Sequence, residues 1–448
     1  MSIFDNGKAA SAAVAGLIAA SLLLSACSGG SGESGGGAPE AGSPASTLAP
    51  PDESQPVTIN VDSFGGIFAN FEKAGLLDDY KKLHPNVTVK YTEVQQEDDY
   101  WTALTTKLNS GTGLADIQAL EISRAALVTQ QQQDKWLDLR STAVATANQY
   151  PPAKQGAITT EDGAVLGFGT DAGPMAICYR SDKLKEAGLP STSDELAKVI
   201  TDWDSYEETG RKYVAATKEP WMDAASGYYR LLTSVQPERN YNADGEPTYE
   251  TNGTARPSFD RAAKVGAEGL TAKLEQFSQP WNTAMNTGDF ATIACPAWML
   301  GYIKQQAGEK NAGNWGVLPL PQGLGGNWGG SYLAIPKDSP NAAAAAQLAQ
   351  FLTSAESETK EFKAGLAFPS NSGALEQIAD VTDPYFNDAP IGKIFSDGFR
   401  AAPDQPLGVD DGAIDQAITQ QLTAVESNNV PPAEAWDSAM KTLEDQIG

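Results

Sequence analysis

Val57-Thr58-Ile59-Asn60-Val61, Val87-Thr88-Val89-Lys90-Tyr91 and Asp116-Ile117-Gln118-Ala119-Leu120 are three short strand-like runs separated by amphipathic stretches at 68–83 and 98–109. Strand and helix alternating at this spacing predict βαβ units, a mainly parallel sheet and the α/β class. Sheets of that kind bind ligands in the crevice beyond the carboxyl ends of their strands. Here those ends are Ser63-Phe64-Gly65-Gly66 and Glu121-Ile122-Ser123. Glycine after a strand lets backbone N–H groups approach a ligand, so Phe64 and Gly66 are candidate contacts. Glu121 is a candidate acceptor for hydroxyl groups, weighed against a capping duty.

Further along, Met175-Ala176-Ile177-Cys178-Tyr179-Arg180 reads as a strand and 181–188 as a short helix. Thr192 with Glu195 has capping-box spacing, and Asp204 with Glu207 repeats it. Trp315-Gly316-Val317-Leu318 and Tyr332-Leu333-Ala334-Ile335 are strands, Ser339 with Pro340 opens an alanine-rich helix, and 414–447 is helical by periodicity. At 448 residues the chain is too long for one hydrophobic core, so two or more domains are expected.

Lys and Arg total 31 against 57 Asp and Glu, a formal charge of −26, which argues against nucleic acid as a partner. One histidine, His84, and three cysteines cannot supply the usual zinc sites, Ser-His-Asp triads or iron–sulfur clusters; neither a metal nor a cofactor is expected.

The first 27 residues read as an export signal, with Lys8 before an Ala/Leu-rich stretch. Leu24-Ser25-Ala26-Cys27 resembles a bacterial lipobox, which implies cleavage before Cys27 and a lipid on its thiol. Residues 28–56 are Gly, Ser, Pro and Ala with little to bury, a flexible tether. The body is then expected on the outer face of the membrane, of a Gram-positive cell, anchored rather than spanning. In that oxidising compartment Cys178 and Cys295 are a candidate disulfide, with two buried free thiols as the alternative.

A series of landmarks then carries a likeness. Gly113-Leu114-Ala115-Asp116-Ile117, Tyr179-Arg180-Ser181-Asp182-Lys183-Leu184 with Ala187-Gly188-Leu189-Pro190, Asp202-Trp203-Asp204-Ser205-Tyr206, 289–298, 315–321 and 329–335 follow one another in an order that resembles the extracellular solute-binding proteins (family 1) of carbohydrate ABC transporters, the maltose-binding-protein-like group. Ala115 stands where that family has proline, and Arg180 where it has asparagine. The resemblance implies a two-lobe, periplasmic-binding-protein-like fold (type II) with a ligand cleft between lobes joined by hinge strands. Lobe 1 maps to 57–169 plus 330–375 and lobe 2 to 170–329 plus 376–448. It also implies permease subunits as partners and an oligosaccharide as ligand.

A saccharide stacks its C–H faces on aromatic rings and offers hydroxyls to polar groups. Of nine tryptophans, Trp101, Trp136, Trp203, Trp281, Trp315 and Trp436 read as packing. Trp298, at a strand exit, resembles the family's stacking tryptophan. Trp328, flanked by Gly325-Gly326 and Gly329-Gly330, is either presented to a ligand or pinned over the hinge, with presentation preferred, and Trp221 is a third aromatic candidate. Asp171 falls where the first crossing between lobes is expected, beside Ala172 and Gly173, and is weighed against a capping or turn duty. Residues 326–331 look similar to actinobacterial binders of β-linked sugars such as cello- or xylo-oligosaccharides. The leading expectation is non-enzymatic capture of a di- or oligosaccharide for a permease. The rival is a secreted glycoside hydrolase, which needs two carboxylates about 5–10 Å apart in its cleft.

Overall fold

The computed structural model describes residues 48–144 and 149–447. The export signal, Cys27 and the tether as far as residue 47 lie outside the described residues. In chain order the strands are β1 (Val57–Phe64), β2 (Val87–Val94), β3 (Ile117–Glu121), β4 (Gly167–Gly169), β5 (Met175–Arg180), β6 (Thr292–Pro296), β7 (Trp315–Leu318) and β8 (Ser331–Ala334). They form a five-stranded sheet, β2-β1-β3-β8-β4, and a three-stranded sheet, β6-β5-β7. Helices pack on both, giving two α/β lobes.

The expectation of a mainly parallel sheet is corrected. Only β1–β2 and β1–β3 are parallel; β3–β8, β4–β8, β5–β6 and β5–β7 are antiparallel. The reason is the route of the chain. β3 and β4 run toward the junction of the lobes and β8 leaves it, while β5 leaves the junction and β6 and β7 return to it. A strand that starts at the junction must oppose its neighbours that end there.

All six residues of β5 are buried, and their side chains alternate between two cores. Met175, Ile177 and Tyr179 join Trp221, Tyr228, Ile414 and Leu422 on one face, while Ala176 and Cys178 join Ile293, Trp315 and Phe395 on the other. A strand covered on both sides reads as a continuous apolar run, which is how this one stands in the sequence. Cys178 and Cys295 are bridged across β5–β6, with Cα atoms 5.3 Å apart. A third core, built on Ile59, Val61, Ile117, Leu120, Phe168 and Leu333, holds the other lobe together. Residues 362–375 straddle the lobes: Phe362 and Phe368 pack into the β5–β6 core, while the Ser372 N–H donates to the Gln149 carbonyl.

Three local readings shift. The capping box before the Trp203–Thr217 helix is Asp202 with Ser205, not Asp204 with Glu207, because Asp202 has the extended backbone that a cap needs. The alanine-rich helix starts at Ala342, as Ser339 and Asn341 are both engaged by the Asp116 carboxylate. The tether already meets the body before residue 56. The Leu48 N–H donates to the Ser141 carbonyl, Asn86 donates to the Gln55 carbonyl, and Glu53 lies 3.5 Å from His84.

Candidate functional site

Two chain segments cross between the sheets side by side. The Thr170 N–H donates to the Ser331 carbonyl (2.9 Å), the Trp328 N–H to the Gly173 carbonyl (2.8 Å) and the Met175 N–H to the Gly326 carbonyl (3.0 Å). Asn327 ties them further, accepting from the Gly173 N–H and donating to the Gly329 carbonyl. The Ala172 N–H adds a third crossing strand through the Phe368 carbonyl. A side chain at Gly173 would collide with the Trp328 carbonyl at 1.8 Å, so glycine there sets how closely the crossings approach. Gly329 and Gly330, which follow Trp328, have φ of 84° and 116°, a bend that other residues rarely adopt.

An aromatic floor forms at this junction. Trp298, just past β6, donates its indole N–H to the Trp328 carbonyl (2.9 Å). Its ring stacks with Phe277 at 6.1 Å and meets Trp328 edge-on at 5.4 Å. Phe277 extends the cluster to Tyr302 and to the buried Trp281, whose indole N–H is held by Asp223. Trp298 and Trp328 are each partly exposed.

Polar groups surround the floor. Glu121 closes β3, accepts from the Ser123 N–H (2.6 Å), and its Oε1 lies 3.6 Å from where a Gly329 Cβ would stand. Asp171 accepts from the Ser331 N–H (2.8 Å) and Thr170 Oγ1 (2.7 Å). Lys154 donates to the Ser331 carbonyl and lies over the Tyr332 ring at 3.8 Å. Burial pulls Lys154 down to about 8, against the opposing pull of Asp171, Glu358 and Glu121. From the other lobe the Arg230 guanidinium covers a face of Trp328 at 5.0 Å. Asp415 pairs with Arg230 (3.6 Å) and Arg239 (3.2 Å), and Asp411 with Arg239 (3.6 Å). Burial alone would lower the Arg239 pKa, but Asp415 and Asp411, with smaller help from Tyr229 and Glu121, raise it and keep the guanidinium charged.

Six of the sequence candidates meet here: Glu121, Asp171, Trp298, Trp328, Gly329 and Gly330. Two others, Phe64 and Gly66, lie at the carboxyl edge of the parallel strands. Phe64 is buried against Tyr100 (5.4 Å), and Gly66 precedes the Ile67–Lys73 helix, whose Phe68 and Ala69 N–H groups donate to Glu93. Trp221 is corrected outright. It has no exposed surface and sits in the core between Tyr206 (5.4 Å) and Tyr213 (5.7 Å), in space left by Gly210. Sequence reasoning missed Phe277, Lys154, Arg230 and Arg239. Arg230 alone carried a signal, as a single cation inside the otherwise buried helix Ala225–Ser234.

Several buried acids near the junction hold protons unusually tightly. Burial raises Glu97 to about 7 although Arg124 opposes it, and Asp411 to about 6 although Arg239 opposes it. Burial likewise raises Asp223 to about 6 and Glu426 to about 7. Each folded value lies above that of the unfolded chain, so the stabilisation is complete near pH 4 and is lost as pH rises through 6 to 7. We expect the melting temperature of the unliganded protein to fall between pH 5 and pH 8, by an amount matching on the order of a few kcal/mol. A flat or rising melting curve over that interval contradicts these assignments. Lys154 acts in the opposite sense only above its folded value of about 8.

Among the described residues, no group of three or more His, Cys, Asp or Glu side chains could hold a metal ion, and no helix is long and apolar enough to cross a membrane. The geometry is that of an aromatic cluster ringed by hydrogen-bonding groups at the hinge of two lobes. A solved extracellular solute-binding protein of family 1 is 36% identical, with 87% of this chain and 99% of that one aligned at a TM-score of 0.73. The ABC-transporter-associated binding protein of B. animalis subsp. lactis, solved with β-1,6-galactobiose, is 22% identical at a TM-score of 0.72, covering 87% of this chain and 97% of that one. The lactose-binding protein of Rhizobium radiobacter is 24% identical over 305 residues, 64% of this chain and 68% of its own length. The arabinooligosaccharide-binding protein of Bacillus subtilis is 21% identical over 361 residues, 75% of this chain and 79% of its own. Residues 75–390 match the family described as bacterial extracellular solute-binding protein, and with the two-lobed junction this establishes that the chain belongs to that family.

Proposed function

We propose that the two lobes close on an uncharged di- or oligosaccharide and deliver it intact to the permease of an ABC importer. The observation that carries this reading is the aromatic floor of Trp298, Trp328 and Phe277 at the lobe junction. Flat indole surfaces suit the C–H faces of sugar rings. The charges around it suit a neutral ligand: Lys154, Arg230 and Arg239 face Glu121, Asp171, Asp411 and Asp415, with no surplus of cations for an anionic solute. Relatives named for lactose and arabinooligosaccharide, and a structural neighbour solved with β-1,6-galactobiose, support the same chemical class. In this reading Glu121 and Asp171 accept hydroxyl protons in hydrogen bonds and transfer none.

The test is calorimetry and tryptophan fluorescence with lactose, cellobiose, xylobiose, β-1,6-galactobiose and arabinobiose, followed by chromatography of each sugar after incubation. At least one is expected to release heat, shift the emission and return unchanged. Shortened products would reverse the reading in favour of a hydrolase; silence across the panel would remove the sugar. We place the anchor at Cys27, on the outer face of the membrane. Cys27→Ala is expected to release the protein into the medium or leave its precursor uncleaved, and unaltered membrane retention would refute the anchor.

A further inference from the structure

Away from the crossing segments the lobes touch again, where Arg124 meets the first turn of a helix of the other lobe. Arg124 lies in the turn that follows Glu121, in the lobe of β1–β3. Its Nε and Nη2 donate to Glu97 at 3.2 and 3.0 Å, Nη2 also reaches Asp98 at 2.8 Å, and the guanidinium lies 5.3 Å over Trp101. The group is therefore fixed from three sides.

Facing it is the Asp411–Asn428 helix of the other lobe, anchored there by Ile414, Ile418 and Leu422. Its first turn presents Gly412, where a Cβ would stand 2.1 Å from Arg124 Nη1 and 2.6 Å from Cζ. One turn on, Gln416 donates to Asp98 at 3.3 Å. The same turn carries Asp411 and Asp415, which hold Arg239 and Arg230, and Arg230 covers Trp328. Opening of the lobes about the crossing segments would part Arg124 from Gly412, as it would part Gln96 from the Phe277 carbonyl of the other lobe (3.4 Å). A contact made in one conformation and absent in the other shifts the balance toward the first.

We infer that Arg124, seated on the notch left by Gly412 and supported by Gln416–Asp98, is a closure contact that sets the protein's affinity without touching its ligand. The inference rests on reading the junction as the ligand site, and its test is chosen to fail separately from that reading.

Spin labels on Asn109→Cys and Gln420→Cys, both at exposed positions on the facing lobes, report the distance between them. The distribution is measured without sugar and with an equimolar mixture of lactose, cellobiose, xylobiose, β-1,6-galactobiose and arabinobiose. Gly412→Ala is expected to raise the ratio of open to shut molecules about fivefold or more over the parent under the same conditions. Gln416→Ala shifts it the same way by less. In an Arg124→Ala background the Gly412→Ala change is expected to have no effect, since the atom it strikes is gone. A merely structural glycine predicts otherwise: alanine in a helix raises the melting temperature and leaves the distances alone. Identical distributions for parent and Gly412→Ala overturn the inference, as does equal opening with and without Arg124. A parent that stays open under every condition also overturns it. A parent whose distances ignore all five sugars, but open in Gly412→Ala, keeps the contact and removes the carbohydrate.

Discussion

Trp298→Ala is expected to weaken binding of the best sugar in the panel about 100-fold, close to 3 kcal/mol. Stacking one ring on an indole contributes about 1–3 kcal/mol. The structure adds a second loss that stacking alone does not include. The Trp298 indole N–H is what holds the Trp328 carbonyl, and Trp328 has glycines at positive φ on its downstream side that do nothing to stiffen it. Removing Trp298 therefore loosens both rings and uncovers one face of Phe277.

Trp298→Phe separates the two contributions. It keeps an aromatic face over Phe277 but has no N–H, so an intermediate loss of about tenfold is expected. Calorimetry gives both affinities, and thermal unfolding without sugar serves as the control. Because Trp298 is only partly buried, its removal should lower the unliganded melting temperature by no more than a few degrees. Undiminished affinity with a large drop in melting temperature would assign Trp298 to the core.

The fate of Trp221 shows what sequence can and cannot say about such residues. In Glu219-Pro220-Trp221 nothing local distinguishes it from a presented aromatic. Its burial depends on Tyr206 and Tyr213, on a helix ending four residues before it, and on the missing side chain of Gly210. Burial of that kind is a property of the assembled lobe. That Trp298 and Trp328 would keep some exposure could be read because their neighbours speak for it: a strand exit in one case, flanking glycines in the other. β5 was legible to the residue, since an apolar run between Pro174 and Ser181 has one way to be covered on both sides. The direction of its neighbours was not, because antiparallel pairing follows from where the chain crosses between lobes. Phe277 and Arg239 lie in loops without periodicity, and only folding brings them to the floor.

Removing both bridge cysteines, as Cys178→Ala with Cys295→Ala, is expected to cost up to about 5 kcal/mol of unfolding free energy. The bond closes a loop spanning 117 positions, and in the chain-entropy account the unfolded ensemble gains the freedom of that whole loop when the bond is absent. Strain in the native protein does not enter. Five register pairs of β5 with β6 remain to hold the strands, and both cysteines lie on the core face with Ile293 and Trp315. The native state should thus be little changed, and the effect should appear as an earlier denaturant midpoint with a similar slope. Reduction gives an independent check. Both sulfurs are fully buried, so a reductant should leave the native protein intact yet bring its midpoint toward that of the double variant once unfolding exposes the bond. Sugar affinity is expected to change less than tenfold, because Trp298 follows β6 by two residues and β6 keeps its partner. A midpoint that moves by less than about 1 kcal/mol would mean that the reduced, unfolded lobe already keeps β5 close to β6, and the stabilising role of the bridge would be lost.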